Sequence, residues 1–164
     1  MILGVAGGNG LHHVGKEDFS KIYGVDINRE YLSECRKRFD MLGNRFETIC
    51  EDLLEEEIHL PFAELLIANL LIEYIGYDAF VRVVRQVKPK IVSSVLQINE
   101  GDSFVSDSPY LHTFDCLEEV HRQIEEEKLV DCLQKIQYQE ILRDEIPLPN
   151  SKKLLRIDMK ETEA

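Results

Sequence analysis

A strand that runs straight into a glycine-rich turn constrains this chain more than any other feature. Met1-Ile2-Leu3-Gly4-Val5-Ala6 reads as a short buried strand, Gly7-Gly8-Asn9-Gly10 follows at once, and Leu11 is placed to open a helix. Lys21-Ile22-Tyr23-Gly24-Val25 reads as a second strand that ends on Asp26. Glycines at such a turn let the backbone approach a ligand closely, and a carboxylate at the next strand tip accepts hydrogen bonds from ribose hydroxyls. The pattern therefore points to a nucleoside site on a parallel α/β sheet.

The remaining sequence alternates in the same way. Asn28 is a good helix N-cap, and Leu32, Cys35 and Phe39 fall on one face of the helix that follows, which Gly43-Asn44 should end. Phe46 to Cys50 reads as a third strand leading to Glu51-Asp52, and Leu53 to Pro61 as an acidic turn or short helix. Ala63 to Ala68 is nearly continuously apolar, as suits a parallel strand covered on both faces. From Tyr77 to Lys88 the residues Phe80, Val83, Val84 and Val87 recur at helical spacing, with Arg82 and Arg85 off that stripe, and Pro89 stops the helix. Ile91 to Ile98 is a fifth strand, and Asn99 to Thr113 a long loop. Helix returns over Glu125 to Ile136, with Glu125-Glu126-Glu127 as its solvated start. Tyr138 to Ile146 and Lys153 to Met159 are joined by too few residues for a helical crossover, so these strands should pair antiparallel.

The predicted fold is a mostly parallel α/β sheet, Rossmann-like in three layers, closed by an antiparallel C-terminal strand. At 164 residues it forms one domain, 1–164. Ligands of such sheets sit outside the carboxyl ends of the strands, where Gly8, Asp26, Asp52 and Asn69 should converge. The net charge of −12 disfavours a nucleic-acid substrate or an anionic lipid surface. With no signal peptide, no membrane-spanning run and no C-x-x-C spacing among Cys35, Cys50, Cys116 and Cys132, a cytoplasmic protein with reduced thiols and no metal is expected. His12 and His13 are adjacent, so they point about 100° apart on a helix and serve one ion poorly. Gly8-Asn9-Gly10 lacks the third small residue of the dinucleotide fingerprint, which counts against NAD.

Together these residues resemble the class I S-adenosylmethionine-dependent methyltransferase family, over nearly the whole chain from Leu3 to about Met159. Gly4 to Gly10 is similar to the family's first motif, Val25-Asp26-Ile27-Asn28 to its ribose-binding strand end, Cys50-Glu51-Asp52-Leu53 to its adenine-binding turn, and Leu66 to Leu71 to the motif beside the reactive methyl. The resemblance implies S-adenosylmethionine as cofactor and a seventh strand, Lys153 to Met159, inserted antiparallel between the fifth and sixth. It implies that backbone around Ala6, Gly7, Gly8, Asn9 and Gly10 holds the methionine moiety and that Asp26 takes the ribose. It also places Asp52 on the adenine amine, Ile27 and Leu53 on the adenine ring, and Asn69 and Leu70 beside the methionine end. The family usually has an acidic residue where Gly4 stands and a glycine where Ala6 stands. Members also commonly carry a lid helix before the first strand, which this sequence lacks, leaving the site open or covered by another segment or by a second copy in a homodimer.

Alignment of the acceptor matters more than any strict motif, because a sulfonium methyl is already activated. Asn69-Leu70-Leu71 is not the Asn-Pro-Pro-aromatic motif of the amide- and adenine-methylating branches. Candidates for acting on the acceptor are Asn69, Glu73, Tyr74 and His121, with Tyr110 and His112 in the long loop. Against these stand plain readings: a backbone role for Asn69, a solvated Glu73, a packing Tyr74 and surface histidines. A small-molecule acceptor is expected. The competing readings are a non-catalytic nucleoside-binding module and an NAD-dependent oxidoreductase.

Overall fold

The structure is a computed structural model that describes residues 1–8, 10–15, 19–99, 124–149 and 152–162. Among these residues one sheet holds seven strands: β1 (Ile2–Leu3), β2 (Ile22–Asp26), β3 (Phe46–Cys50), β4 (Leu65–Asn69), β5 (Ile91–Asn99), β6 (Tyr138–Leu148) and β7 (Lys152–Glu161). Their order is β3-β2-β1-β4-β5-β7-β6. The first five run parallel, and β7 pairs antiparallel with both β5 and β6. The expected insertion of the last strand between the fifth and sixth is what the chain does.

Helices cover both faces. On one side lies α1 (Arg29–Arg38), whose Leu32 and Cys35, with the following Phe39, join Val5, Leu11, Ile22 and Phe46 in one apolar cluster. Asn28 caps this helix as the sequence indicates, its side chain accepting from the N–H groups of Glu30 and Tyr31 at 2.9 and 3.1 Å. Arg36, Lys37 and Arg38 in the last turn suit the negative end of the helix dipole. The helix ends earlier than Gly43 suggests: Phe39 leaves helical geometry and a 3-10 stretch, Asp40–Arg45, carries the chain into β3.

The other face is covered by α2 (Ile72–Val87) and α3 (Glu126–Gln134) over the larger core, where Phe80, Val83, Val84 and Val87 are all fully buried. Here α2 starts a turn and more before Tyr77, because the helical run crosses Gly76, whose φ of 75° and ψ of 175° break it. A stripe read from Phe80 onward finds only the part beyond that break. Lys88 terminates α2 in left-handed geometry, ahead of Pro89.

Three more expectations are corrected. β1 is two residues long rather than six, because Gly4 and Ala6 take positive φ (64° and 45°) and bend the chain out of extended geometry; a single further bond, Val5 N–H to Val25 O at 3.0 Å, prolongs the pairing. Leu11 opens only a three-residue 3-10 turn, Leu11–His13, since Gly10 offers no side-chain cap and Val14 is already extended. The start of α3 is not simply solvated either. Arg143 on β6 reaches Glu127 at 2.8 Å, Glu126 at 3.5 Å and Glu140 at 2.8 Å, tying the helix to the outermost strand. No helix of the described residues is long and apolar enough to cross a membrane.

Candidate functional site

The carboxyl ends of β1 to β4 form one rim, and each end is shaped by a different local device. After Leu3 the backbone turns through Gly4, Ala6, Gly8 and Gly10, all at positive φ, held by Gly8 N–H to Val5 O at 2.8 Å and Leu11 N–H to Gly8 O at 3.1 Å. The glycines of this turn differ in role. A Cβ on Gly8 would lie 2.5 Å from Phe39 Cε2 and 2.8 Å from Cys35 Sγ, so Gly8 is where α1 presses against the loop. Among the described residues, a Cβ on Gly7 or Gly10 would meet nothing within 4 Å. The loop thus rests on the helix with one side and leaves the other open. Beside it, a Cβ on Gly4 would stand 3.1 Å from Leu71 Cδ1, so the place an acidic side chain would start from is bordered by leucine.

Asp26 fastens this loop to the tip of β2. Its Oδ2 accepts from Ala6 N–H and its Oδ1 from Asn28 N–H, each at 2.9 Å. Each oxygen of an ionised carboxylate accepts more than one hydrogen bond, so the half-buried Asp26 keeps capacity for a ligand. Ile27, next along, is 63 % exposed.

β2 and β3 run parallel with Asp26 opposite Cys50, which brings Glu51 and Asp52 to the neighbouring strand end. Glu51 N–H donates to Asp26 O at 3.2 Å and the Glu51 carboxylate accepts from His59 N–H at 2.9 Å. Asp52 Oδ1 accepts from Leu54 N–H at 2.9 Å, closing a side-chain turn. Leu53 points into the core, and Leu54 is exposed. From beneath, Arg82 on α2 donates to the carbonyls of Leu53 and Leu54 at 3.2 and 3.1 Å, and Gln86 donates to the Ile58 carbonyl. Sequence reasoning left Arg82 merely off the apolar stripe. Its signal was the polar pair Arg82 and Gln86, four apart on a helix and flanking buried valines.

At the end of β4, Asn69 and Leu70 are exposed, and Leu70 takes a φ of 53° while its N–H donates to Val95 O at 2.8 Å. The chain then enters α2, and its first turn carries Glu73. This residue is 2 % exposed, so the solvated alternative does not hold. Glu73 Oε1 accepts from Gln97 N–H of β5 at 2.9 Å, whereas Oε2 is buried with no hydrogen-bond partner among the described residues. Burial pushes its carboxyl above the usual range, against the pull of its backbone hydrogen bonds. Tyr74 is half-buried, and burial, together with the Glu73 charge, raises its phenol.

The structure therefore brings Ala6, Gly7, Gly8, Gly10, Asp26, Ile27, Asp52, Asn69, Leu70 and Glu73 to one edge of the sheet, with Leu53 beneath it. Asn9, Tyr110, His112 and His121 lie outside the described residues. A separate cleft of about 420 Å³ opens at the opposite, amino-terminal end of the strands, between Met1, Phe19, Lys21, Tyr23, Phe62 and Glu64, and shares no residue with the rim.

This fold recurs in solved structures. The fold is that of the class I S-adenosylmethionine-dependent methyltransferases. The methyltransferase domain of bacterial CtHen1 matches 99 % of this chain and 88 % of its own at 18 % identity, with a TM-score of 0.73. The N-methyltransferase NodS from Bradyrhizobium japonicum WM9, solved with S-adenosyl-L-homocysteine, matches over 99 % of this chain and 76 % of its own at 12 % identity and a TM-score of 0.71. A [4+2]-cyclase, SpnF, is as similar in shape (TM-score 0.73, 10 % identity, 99 % and 75 % coverage), so the fold alone does not fix the reaction. No protein-family profile matches the chain, and no curated protein matches it in sequence.

Proposed function

We propose that this protein is an S-adenosylmethionine-dependent methyltransferase acting on a small-molecule acceptor in the cytoplasm. The observation that carries the reading is Asp26: a half-buried carboxylate with spare acceptor capacity, bound to the glycine loop through Ala6 N–H and flanked by Gly7 and Gly10, whose outer sides are open. A ribose needs such an acceptor, and a methionine chain needs backbone it can approach. The fit extends along the rim. Ile27 offers an apolar surface to the adenine ring, Leu53 supports the turn from below, and Asp52 keeps an oxygen for the exocyclic amine. Asn69 and Leu70 stand at the methionine end. Solved relatives of this shape hold S-adenosylmethionine or S-adenosylhomocysteine, as the NodS and magnesium protoporphyrin IX methyltransferase structures do.

When bound, the cofactor supplies a methyl group on a sulfonium centre, already activated for in-line attack. What the protein adds is position: the loop fixes the methionine end, Asp26 fixes the ribose, and the β4–α2 junction with Glu73 and Tyr74 borders the place of attack. A dinucleotide is a poorer fit, because the glycine turn opens onto the 3-10 turn Leu11–His13 and offers no α-helix N-terminus to a pyrophosphate there.

Calorimetry with S-adenosylhomocysteine and with NAD tests this directly. Binding of the first and not the second is expected, followed by transfer of labelled methyl from S-adenosylmethionine into a pool of metabolites. Preference for NAD sinks the reading. Tight S-adenosylhomocysteine binding without any methylated product leaves a non-catalytic or otherwise reactive nucleoside-binding protein, a reading that the cyclase of the same shape keeps open.

A further inference from the structure

Buried carboxylates are almost always paired, because an ionised group removed from water and left without donors is costly. Glu73 breaks that rule on one side only. Oε1 is held by Gln97 N–H, which fixes the carboxyl plane against β5, while Oε2 of this 2 % exposed residue has no hydrogen-bond partner among the described residues. That leaves a place for a donor carried by a ligand.

Its position says which part of a ligand. Across the sheet the rim runs Asp52, Asp26, the glycine loop, Asn69, and then Glu73 between β4 and β5. On the reading proposed above, adenine and ribose occupy the β3–β2 end and the methionine moiety the β1 turn. Glu73 then lies past the methionine end, on the side an acceptor must enter. We infer that Glu73 Oε2 binds the acceptor, and that the acceptor is an amine presented as its ammonium ion. A buried anion gains far more from a charged N–H donor than from a neutral hydroxyl, and a carboxylate can relieve an ammonium of its proton but not an aliphatic alcohol. The net charge of −12 draws cations toward the protein.

The chemistry balances without a further reactant. Ionised Glu73 takes one proton from the bound ammonium and frees the nitrogen lone pair. The nitrogen forms its bond to the methyl carbon of S-adenosylmethionine as the sulfur–carbon bond breaks, its electron pair remaining on sulfur. The methylated nitrogen departs as a cation, and the Glu73 proton returns to water.

The test uses the protein saturated with S-adenosylhomocysteine, carrying carbon-13 at its glutamate carboxyls, and titrates in methylammonium chloride. One carboxyl resonance, missing in Glu73→Gln, is expected to shift saturably, and its titration midpoint to fall as the cation binds. Methanol and tetramethylammonium, which lack a charged N–H donor, leave it in place. Methylammonium binding, read from the ligand's own methyl line, weakens roughly tenfold or more in Glu73→Gln, while S-adenosylhomocysteine binds both proteins alike. The glutamine keeps an oxygen for Gln97 N–H, and the wild-type titration decides the matter even if that variant folds poorly. A Glu73 resonance indifferent to methylammonium in a protein that binds S-adenosylhomocysteine overturns the acceptor assignment. Failure of the wild type to bind S-adenosylhomocysteine overturns the cofactor reading on which it rests.

Discussion

The two halves of the rim are built differently. At the β2–β3 half nearly every polar group has a partner within the protein: Asp26 holds two backbone N–H groups, Asp52 closes its own turn, Glu51 binds His59 N–H, and Arg82 ties the turn to α2. At the β4–β5 half Leu70 stands exposed at positive φ, and Glu73 keeps a buried oxygen with no donor among the described residues. The first half is shaped before any ligand arrives, as a site for an invariant cofactor should be. On the proposed reading, the second is completed by the acceptor. The comparison explains why cofactor class is easier to infer than acceptor.

Breaking the prefabricated half should have the largest effect. Gly8→Val puts a branched side chain into Phe39 and Cys35 at a φ of 82°, so overpacking and backbone strain act together. We expect a loss of about 2–5 kcal/mol of stability, read from denaturant midpoints. Unaltered stability in this variant means that α1 does not lean on the loop as described.

Next comes Asp26→Ala, which strands two backbone donors and removes the proposed ribose acceptor. S-adenosylhomocysteine affinity should fall by about 1.5–3 kcal/mol, with a stability loss of about 1–3 kcal/mol. Asp26→Asn separates the roles, because one amide oxygen still serves the loop while the charge is gone. Equal affinity for the nucleoside in all three proteins removes Asp26 from the site.

Protonation probes the other half. The Glu73 carboxyl titrates above its ordinary value of 4.5 in the folded protein because it is buried. The folded state therefore holds its proton to higher pH than the unfolded state. Its contribution to stability is full below the ordinary carboxyl range and is lost as pH rises through the folded value. Glu73→Gln should abolish that decline, so its thermal midpoint gains on wild type as pH climbs from 4 toward neutrality. Parallel profiles for the two proteins contradict the burial of an unpaired oxygen.

Much of this was legible in the sequence, for physical reasons. The parallel run of strands followed from alternation and the antiparallel last pair from a connection too short for a crossover, whereas the place of the last strand between the fifth and sixth came only from the family resemblance; the Asn28 cap and the valine stripe of α2 are local signals that tertiary packing reinforced. What escaped is where backbone geometry overrides composition. The run from Met1 to Ala6 is apolar enough for a strand, yet positive φ at Gly4 and Ala6 ends it after Leu3. A φ of 45° at Ala6 is one that glycine adopts more readily than alanine. Gly76 hid the first turn of α2 and with it the burial of Glu73, since no periodicity continued across the break. Side-chain-to-carbonyl ties such as Arg82 to Leu53 and Leu54 join segments far apart in sequence and leave no local trace.

The smallest change is the sharpest probe of the glycine loop. Gly7 has ordinary φ, and a Cβ there meets nothing within 4 Å, so Gly7→Ala should leave stability within about 0.5 kcal/mol of wild type. If the open side of the loop is where a methionine chain lies against the backbone, that single methyl group nonetheless intrudes on the ligand. S-adenosylhomocysteine affinity should then drop severalfold while the denaturation curve stays put. Gly8→Val cannot make this distinction, because it damages the protein and the site together. A Gly7→Ala protein that both folds and binds like wild type would mean that the ligand approaches the rim from the strand ends alone, with Asp26 rather than the loop backbone setting its position.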